Sequence, residues 1–287
     1  MALFPPLAAA EPFKEAFPEV YSAVDPAAQA HLDKLDLKHG TVALGEGYAQ
    51  VALSEGYYFL DPAASKVVLE ELWGNPPGIP PLGMIFPAGS SPLHDSWGLT
   101  IDYDPMGYVS DEDAASYDYD ALLADMKRDL IEENKARAKD GFERIDLIGW
   151  AEPPHYDATA RELYWAKQLH FGTSTGDTLN YNIRELGRHG VLVVNFIAGM
   201  DQLPAVRDAV PEVRQMISFT DGNRYADFVP GVDTVAAVGI GGLIAGKVAA
   251  KAGLLVVLLA FLKKGAFLIL LPIAWVISKL RGSKGSA

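Results

Sequence analysis

The sequence predicts an α+β domain with a mainly antiparallel sheet packed with helices, followed by a C-terminal hydrophobic membrane helical hairpin. Two observations support this prediction. Strand-like segments joined by turns occur in groups between Asp36 and Phe228, with helical segments between the groups, an order typical of α+β domains. A long apolar segment begins at Val235. The chain contains no cysteine, which excludes disulfides, zinc-thiolate sites and thiol catalysis.

The sequence of residues 40–104 predicts a β-hairpin, a capped helix and two further strands. Residues 40–61 alternate apolar and polar side chains around glycine-containing turns, which predicts two strands of a hairpin. Asp61 then caps a helix over residues 62–74, with Pro62 at the first helical position and Gly74 past the end. Further strands are predicted at PLGMIFPAG (81–89) and WGLTIDYD (97–104).

The second half predicts two helices separated by strands. Residues 118–141 form a helix that Asp118 caps and Gly141 stops. Residues 203–219 form a last helix, bent at Pro211. The strands between them are predicted at FERIDLIGWAE (142–152), ELYWAKQLHF (162–171), TLNYNIREL (178–186) and VLVVNFIAG (191–199).

Charge is divided between an acidic body and a basic tail. From Val235 onward there are seven Lys or Arg residues and no Asp or Glu. Subtracting these seven from the 24 basic residues leaves 17 against 37 acidic residues in the first 234 positions, a net charge of −20. Nucleic-acid binding needs a basic face for phosphate contact, so no nucleic-acid partner is expected.

The stretch IDYDPMGYVSDEDA (101–114) is a candidate calcium loop. Numbered from its first Asp, it has oxygen side chains at positions 1, 3, 9 and 12 and glycine at position 6, as in an EF-hand. Met106 at position 5 cannot ligate calcium, and position 12 is Asp rather than Glu. The alternative is a strand end, a turn and a helix start with a capping box of Ser110 and Asp113. No cofactor is therefore expected, and the calcium alternative would use Asp102, Asp104, Ser110 and Asp113.

Histidines and tryptophans near proline-rich loops are candidates for a ligand or partner groove. SSPLHDSW and EPPHYD are both interpreted as such loops, and loops often carry functional groups. Most aromatic side chains of the strand-like runs are expected in the core instead. The groove candidates are Trp97, His94, Trp150, His155 and Tyr156.

The apolar C-terminus contains three apolar runs of 12, 11 and 14 residues, 235–246, 252–262 and 265–278. None reaches the ~18–20 residues that a helix needs to cross a bilayer. The first two can join through a helix with two lysines on one face, which predicts a hairpin that turns between the second and third runs. One crossing plus an interfacial helix, and a buried soluble helix, are the alternatives. The boundary lysines are Lys247, Lys251, Lys263 and Lys264.

Small residues recur every four positions along the start of this tail. Such a ladder lets two helix backbones approach closely in a membrane, so it predicts a packing seam and a homo-oligomer. Its members are Ala237, Gly241, Ala245, Ala249 and Gly253.

Several motifs resemble those of a bacterial family of predicted membrane-anchored proteins, catalogued as a domain of unknown function. The resemblance covers about residues 38 to 280, and the order of elements is similar to a PsbP-like sandwich. It implies a signal sequence, an extracytoplasmic domain and a C-terminal membrane anchor, and it carries no known activity. The motifs are WGNPPG (73–78), FPAGSSPL (86–93), YVSDEDA (108–114), LYWAK (163–167), LNYNIR (179–184) and GNRYADF (222–228).

Three regions follow from these features: an N-terminal tail (1–37), an acidic α+β domain (38–230), and a Gly/Ala/Leu-rich membrane anchor with a basic tail (231–287). The N-terminus lacks a positive n-region, but LAAA followed by EPF resembles the end of a signal peptide. The tail is therefore interpreted as unstructured or as the remnant of a signal region.

The function expected from the sequence is that of a membrane-anchored, non-enzymatic protein of the bacterial envelope. It would present its acidic domain for partner binding or assembly. Its expected partners are the lipid bilayer, further copies of itself and an unidentified protein. The expected location is the inner membrane with the domain in the periplasm, and the cytoplasmic side is the alternative. A metal-dependent enzyme, or a calcium or ligand sensor using the acidic and proline-rich loops, is the alternative function.

Overall fold

The computed structural model describes residues 9–75, 77–114, 117–139, 141–172 and 174–245. Within them the chain divides into two units. The first is built from residues 9–101 and Pro204–Thr220, and the second from Asp102–Leu203 and residues 221–245. The sequence predicts one domain over residues 38–230. In the structure the chain leaves the first unit after Ile101, returns to it at Pro204 and leaves it again after Thr220.

The sheet of the first unit is antiparallel and has the order β1-β2-β5-β6-β7. The predicted α+β class with a mainly antiparallel sheet is confirmed. Its strands are β1 (Ala9–Pro12), β2 (Asp36–His39), β5 (Tyr57–Leu60), β6 (Gly83–Pro87) and β7 (Gly98–Asp104).

A second, three-stranded sheet of the first unit contains the predicted hairpin. Strands β3 (Thr41–Leu44) and β4 (Ala49–Ala52) pair with each other, and β4 also pairs with β12 (Ile217–Phe219). The last predicted helix is wrong at its end, because α6 stops at Met216 (Leu203–Met216). A β-branched and an aromatic residue flank Ser218, which suits an edge of a sheet better than a helix end.

The N-terminal segment of the first unit is folded from Ala9 onward, which differs from the tail predicted over 1–37. It contains α1 (Phe13–Ala16), α2 (Pro18–Ala23) and α3 (Pro26–Leu32). Phe13 and Leu35 are buried, and the Phe13 N–H donates to the Leu35 carbonyl at 3.0 Å. Long-range burial of widely spaced apolar side chains orders this segment, and its sequence shows no periodic pattern for that burial.

The predicted cap of the next helix is confirmed. Asp61 accepts a hydrogen bond from the Ala64 N–H at 3.0 Å and begins α4 (Pro62–Lys66). The helix continues as a wider, π-helical turn over Val67–Leu72.

The sheet of the second unit is a meander of four antiparallel strands, all of them predicted. The strand β8 runs further than predicted, because register shifts near Glu152 accommodate the two prolines that follow. His155 and Tyr156 therefore lie in a strand and not in a loop as predicted. The strands are β8 (Ile145–Asp157), β9 (Glu162–Phe171), β10 (Thr178–Leu186) and β11 (Val191–Gly199).

Two helices pack in the second unit. The long helix α5 (Tyr119–Lys139) begins and ends as predicted, since Asp118 accepts from the N–H groups of Asp120 and Ala121 and Gly141 has φ of +79°. The short helix α7 (Ile240–Ala245) ends the described chain. Among the described residues, no helix is both long and apolar enough to cross a membrane. Residues 246–287 of the predicted anchor lie outside the described part.

Candidate functional site

The acidic loop after β7 holds the chain that leads into the apolar C-terminal segment. The Tyr108 N–H donates to the Thr234 carbonyl at 2.9 Å, and the Ala236 N–H donates to the Tyr108 carbonyl at 2.8 Å. Gly107 has φ of +95°, and a Cβ there would lie 2.7 Å from the Thr234 carbonyl oxygen. A glycine is therefore required for this approach. We call residues 107–114, 117 and 229–241 together the junction.

Asp111 ties the junction to β8 and to the turn Tyr225–Asp227. Its carboxylate accepts hydrogen bonds from the hydroxyls of Tyr156 at 2.8 Å and Tyr225 at 3.1 Å, and it forms an ion pair with Arg161. Burial alone would raise the pKa of Asp111, but the two tyrosine hydrogen bonds and the charge of Arg161 together lower it. The carboxylate is therefore ionised and accepts from three groups that are distant in sequence.

Asp113 holds the start of α7. One carboxylate oxygen accepts from the Ile240 N–H at 3.1 Å, and the other accepts from the Tyr117 hydroxyl at 2.5 Å. A Cβ at Gly239 would lie 1.9 Å from Asp113 Oδ2, and one at Gly241 would lie 1.8 Å from Tyr117 Cε1. Both glycines therefore let the side chains of Asp113 and Tyr117 lie close to the backbone of this segment.

A bidentate ion pair fixes the remaining part of the junction. Arg188 donates from Nε to Asp233 at 2.7 Å and from Nη2 at 3.0 Å. The Val229 N–H also donates to Asp233 at 2.7 Å. The segment just before the apolar tail is therefore held by side chains as well as by its backbone.

The helix α7 adds an apolar contact to these polar ones. Ile240, Leu243 and Ile244 are buried. They belong to the core cluster of the second unit, whose other buried members are Val109, Leu163, Trp165, Leu186, Val191 and Tyr225. The described beginning of the predicted membrane anchor, residues 231–245, thus packs on the acidic body.

The predicted small-residue seam is only partly described. Ala237 is exposed and precedes α7, whereas Gly241 is buried against Tyr117 of its own chain. Ala245 ends α7. The seam residues Ala249 and Gly253 and the boundary lysines Lys247, Lys251, Lys263 and Lys264 lie outside the described residues.

The four predicted calcium ligands have different surroundings. Ser110 Oγ accepts from the Glu112 N–H at 3.4 Å, and Asp113 binds Tyr117 and Ile240. Asp102 and Asp104 end β7 near Arg184, and burial raises the pKa of Asp102 to about 6, which the Arg184 charge offsets only in part. In the part of the chain that is described, no group of three or more His, Asp or Glu residues could hold a metal ion.

The predicted capping box is corrected by the same loop. Residues 112–114 form a turn, and the next described helix begins at Tyr119 with Asp118 as its cap. Asp113 instead accepts hydrogen bonds from the Tyr117 hydroxyl and from the Ile240 N–H of α7. A long-range partner, Ile240, thus takes the place of the predicted contact with Ser110.

The predicted groove residues fall in both units. In the first unit, His94 Nδ1 accepts from the Ser91 N–H at 3.0 Å, and Trp97 is buried with its ring 5.8 Å from that of Tyr57. Trp97 is therefore a core residue there.

In the second unit, the predicted groove residues have structural partners. The Trp150 indole donates to the Tyr119 carbonyl at 3.3 Å, and the His155 ring lies 5.0 Å from that of Tyr164. Tyr156 binds Asp111, and burial and that hydrogen bond raise its pKa well above the usual range.

The sequence analysis did not identify the polar face of the sheet in the second unit. Asn180, Asn182 and Arg184 alternate with Tyr181 and Ile183 along β10. This two-residue period indicates a strand with one polar face, and that signal was available in the motif LNYNIR.

Comparisons with known proteins give one family and distant structures. A family model described as "Protein of unknown function (DUF2167)" matches residues 36–274. No curated protein matches the chain. Cyanobacterial PsbP (CyanoP) from Synechocystis sp. PCC 6803 is similar at 9% identity and a TM-score of 0.36, over 63% of this chain and 91% of that chain. The Saccharomyces cerevisiae Ran-binding protein Mog1p is similar at 8% identity and a TM-score of 0.31, over 67% of this chain and 100% of that chain. Likeness at this level supports no conclusion about function.

Proposed function

The chain belongs to the DUF2167 family, and we propose that it is a membrane-anchored, non-enzymatic protein that presents its acidic α+β body to a partner. The observation that carries the proposal is the burial of Ile240, Leu243 and Ile244 in the core of the second unit. Residues 246–278 continue from this point with apolar runs and no acidic residue. A body packed on the first turn of an anchor would be held close to the bilayer.

The surface of the junction also favours a position at the membrane. Val229, Val232 and Val235 are 40%, 76% and 55% exposed, and they directly precede α7. Exposed apolar side chains are unfavourable in water, and their transfer to a bilayer interface lowers the free energy. These valines would enter the interface where the anchor enters the membrane.

The partner is proposed from charge. The first 234 residues carry a net charge of −20, which repels anionic surfaces and attracts a basic partner. The bacterial inner membrane, with the acidic body in the periplasm, is the proposed location. Self-association through the small residues of the tail is the proposed assembly.

Membrane fractionation tests the anchor. The full chain, expressed in a bacterium, is expected to stay with the membrane pellet after alkaline carbonate washing, and a chain ending at Ala245 is expected in the supernatant. Recovery of the full chain in the supernatant would refute the proposal. Cysteines introduced by Lys263→Cys and Gly285→Cys then test the hairpin, because labelling from the same side of the membrane would contradict it.

A further inference from the structure

One face of the sheet in the second unit carries several nitrogen donors. The register places Lys167 opposite Asn180 and Trp165 opposite Asn182. Arg184 follows Asn182 by two positions on β10. Because side chains alternate between the two sides of a strand, these five share one side. We call them the donor face: Trp165, Lys167, Asn180, Asn182 and Arg184.

Neither cation of the donor face forms a close ion pair with another described residue. Neither Lys167 nor Arg184 is among the ion pairs of the described residues. Arg184 lies over the Trp165 ring at 4.9 Å and donates to neutral acceptors, Asn195 Oδ1 at 3.2 Å among them. A half-buried cation without a directly paired carboxylate is costly, so both groups favour an added anion.

The charges around the donor face leave a positive balance at Lys167. Burial lowers the pKa of Lys167 to about 8, and repulsion by Arg184 lowers it by more than attraction to Glu133 raises it. Burial likewise lowers the pKa of Arg184 to about 10, against the attraction of Asp102 and Asp104. At Lys167, attraction to Glu133 therefore does not offset burial and repulsion by Arg184.

Two neutral donors on the same face lack an acceptor. Trp165 is 1% exposed and Asn180 is 5% exposed, and neither Trp165 Nε1 nor Asn180 Nδ2 hydrogen-bonds to a described residue. Buried donors are normally paired, because an unpaired one loses its hydration without compensation. All four groups can only donate at these nitrogens, so one added acceptor could serve all of them.

We propose that the donor face binds a small ligand through an oxyanion group, a carboxylate or a phosphate, held by Lys167, Arg184, Trp165 Nε1 and Asn180 Nδ2. Charge-assisted hydrogen bonds from ammonium and guanidinium groups suit both anions. The sheet supplies a rigid base, since all four groups project from two hydrogen-bonded strands. The binding site is independent of the proposed anchor and gives the acidic body a ligand of its own.

Calorimetry on the full chain in neutral detergent and chloride buffer tests this proposal. Inorganic phosphate and succinate are titrated separately, and at least one is expected to bind saturably and to raise Tm. Saturation by phosphate alone assigns a phosphate ligand, and saturation by succinate alone assigns a carboxylate. The absence of saturable binding by both anions would overturn the proposal.

Matched variants locate the binding. Lys167→Met is expected to weaken binding roughly tenfold or more, because it removes one of the two charges. Lys135→Met is the control, since Lys135 is 63% exposed and paired with Glu132, and its affinity should equal that of the wild type. Equal binding by both variants would place the anion elsewhere and overturn the proposal.

A second variant keeps the test decisive if Lys167→Met does not fold. Trp165→Phe retains an aromatic ring beneath Arg184 and removes only the indole N–H, so affinity should fall about fivefold while the cooperative melt persists. An unchanged affinity in a folded Trp165→Phe protein would contradict the proposed contact.

Discussion

The carboxylate of Asp113 accepts a hydrogen bond from the backbone N–H of Ile240, 127 residues further along the chain. The same carboxylate accepts from the Tyr117 hydroxyl. An acidic loop that resembles a calcium site therefore holds the first turn of α7. This contact joins the acidic body to the segment from which the proposed anchor continues.

Replacement of Asp113 should loosen the junction. Asp113→Ala leaves the Ile240 N–H and the Tyr117 hydroxyl without their acceptor, so the free energy of unfolding should fall by about 1–2 kcal/mol. Denaturant unfolding of the full chain in detergent measures the change. The control is Asp221→Ala, whose side chain is 89% exposed in its pair with Arg224, and which should change stability by less than about 0.5 kcal/mol. An equal effect of the two variants would mean that the hydrogen bonds of Asp113 contribute nothing to the free energy of unfolding.

Gly241 should contribute to the stability of the fold. Gly241→Ala places a methyl group against the Tyr117 ring, where a Cβ would lie 1.8 Å from Cε1. The resulting overpacking should cost about 1–3 kcal/mol, and thermal unfolding measures it.

Ala237→Leu separates folding from assembly. Ala237 is exposed, so this variant should fold as stably as the wild type while it alters one position of the predicted seam. A Gly241→Ala protein as stable as the wild type would contradict the close packing of Gly241 against Tyr117. A change of oligomeric state in Ala237→Leu, measured by crosslinking in membranes, would support the seam.

Asp102 should make the second unit less stable at alkaline than at mildly acidic pH. Its folded pKa of about 6 lies above its ordinary value of 3.8, so the folded state binds the proton more tightly than the unfolded state does. Stability from this group therefore rises as pH falls from above the folded pKa to the unfolded pKa. The facing charges are Arg184, which opposes the shift, and Asp104, whose pKa burial also raises.

Asp102→Asn tests that sign. It removes the buried charge and should raise the free energy of unfolding by roughly 1–3 kcal/mol at about pH 8, with no gain at about pH 4. Denaturant titrations at the two pH values measure the difference, with Asp221→Asn as the exposed control. A larger gain at the acidic pH would show that the sign is wrong.

Anion binding at the donor face should follow the charge of Lys167. With a pKa of about 8, most of this group is protonated at about pH 7 and little of it at about pH 9. Affinity for the anion should thus fall about tenfold over that interval. Arg184, with a pKa of about 10, keeps its charge over most of the interval, and Asp102, with a pKa of about 6, titrates below it. Burial also raises the pKa values of the nearby Asp104 and Glu133. The loss of this pH dependence in Lys167→Met, with weak binding at both values, would assign it to Lys167, and its persistence would assign it elsewhere.

Local patterns predicted the elements of both units because caps and periodicity act within a few residues. Asp61, Asp118 and Gly141 begin or end helices where expected. The four strands of the sheet in the second unit coincide with the predicted strand-like runs. The family was likewise recognised from short motifs. The sequence did not predict the ordered segment from Ala9 to Leu35 or the strand at Ile217, because their partners lie far along the chain.

The sequence by itself determined the α+β class, the acidic body, the apolar tail and most strand and helix positions. Only the tertiary structure decided which polar groups meet. Tyr225 reaches Asp111 across 114 residues, and Lys167 faces Asn180 because of a strand register that no single segment encodes. Side-chain alternation tells which residues of one strand share a face, but pairing between strands is set by the packing of the whole unit. The donor face and the junction are both products of that packing.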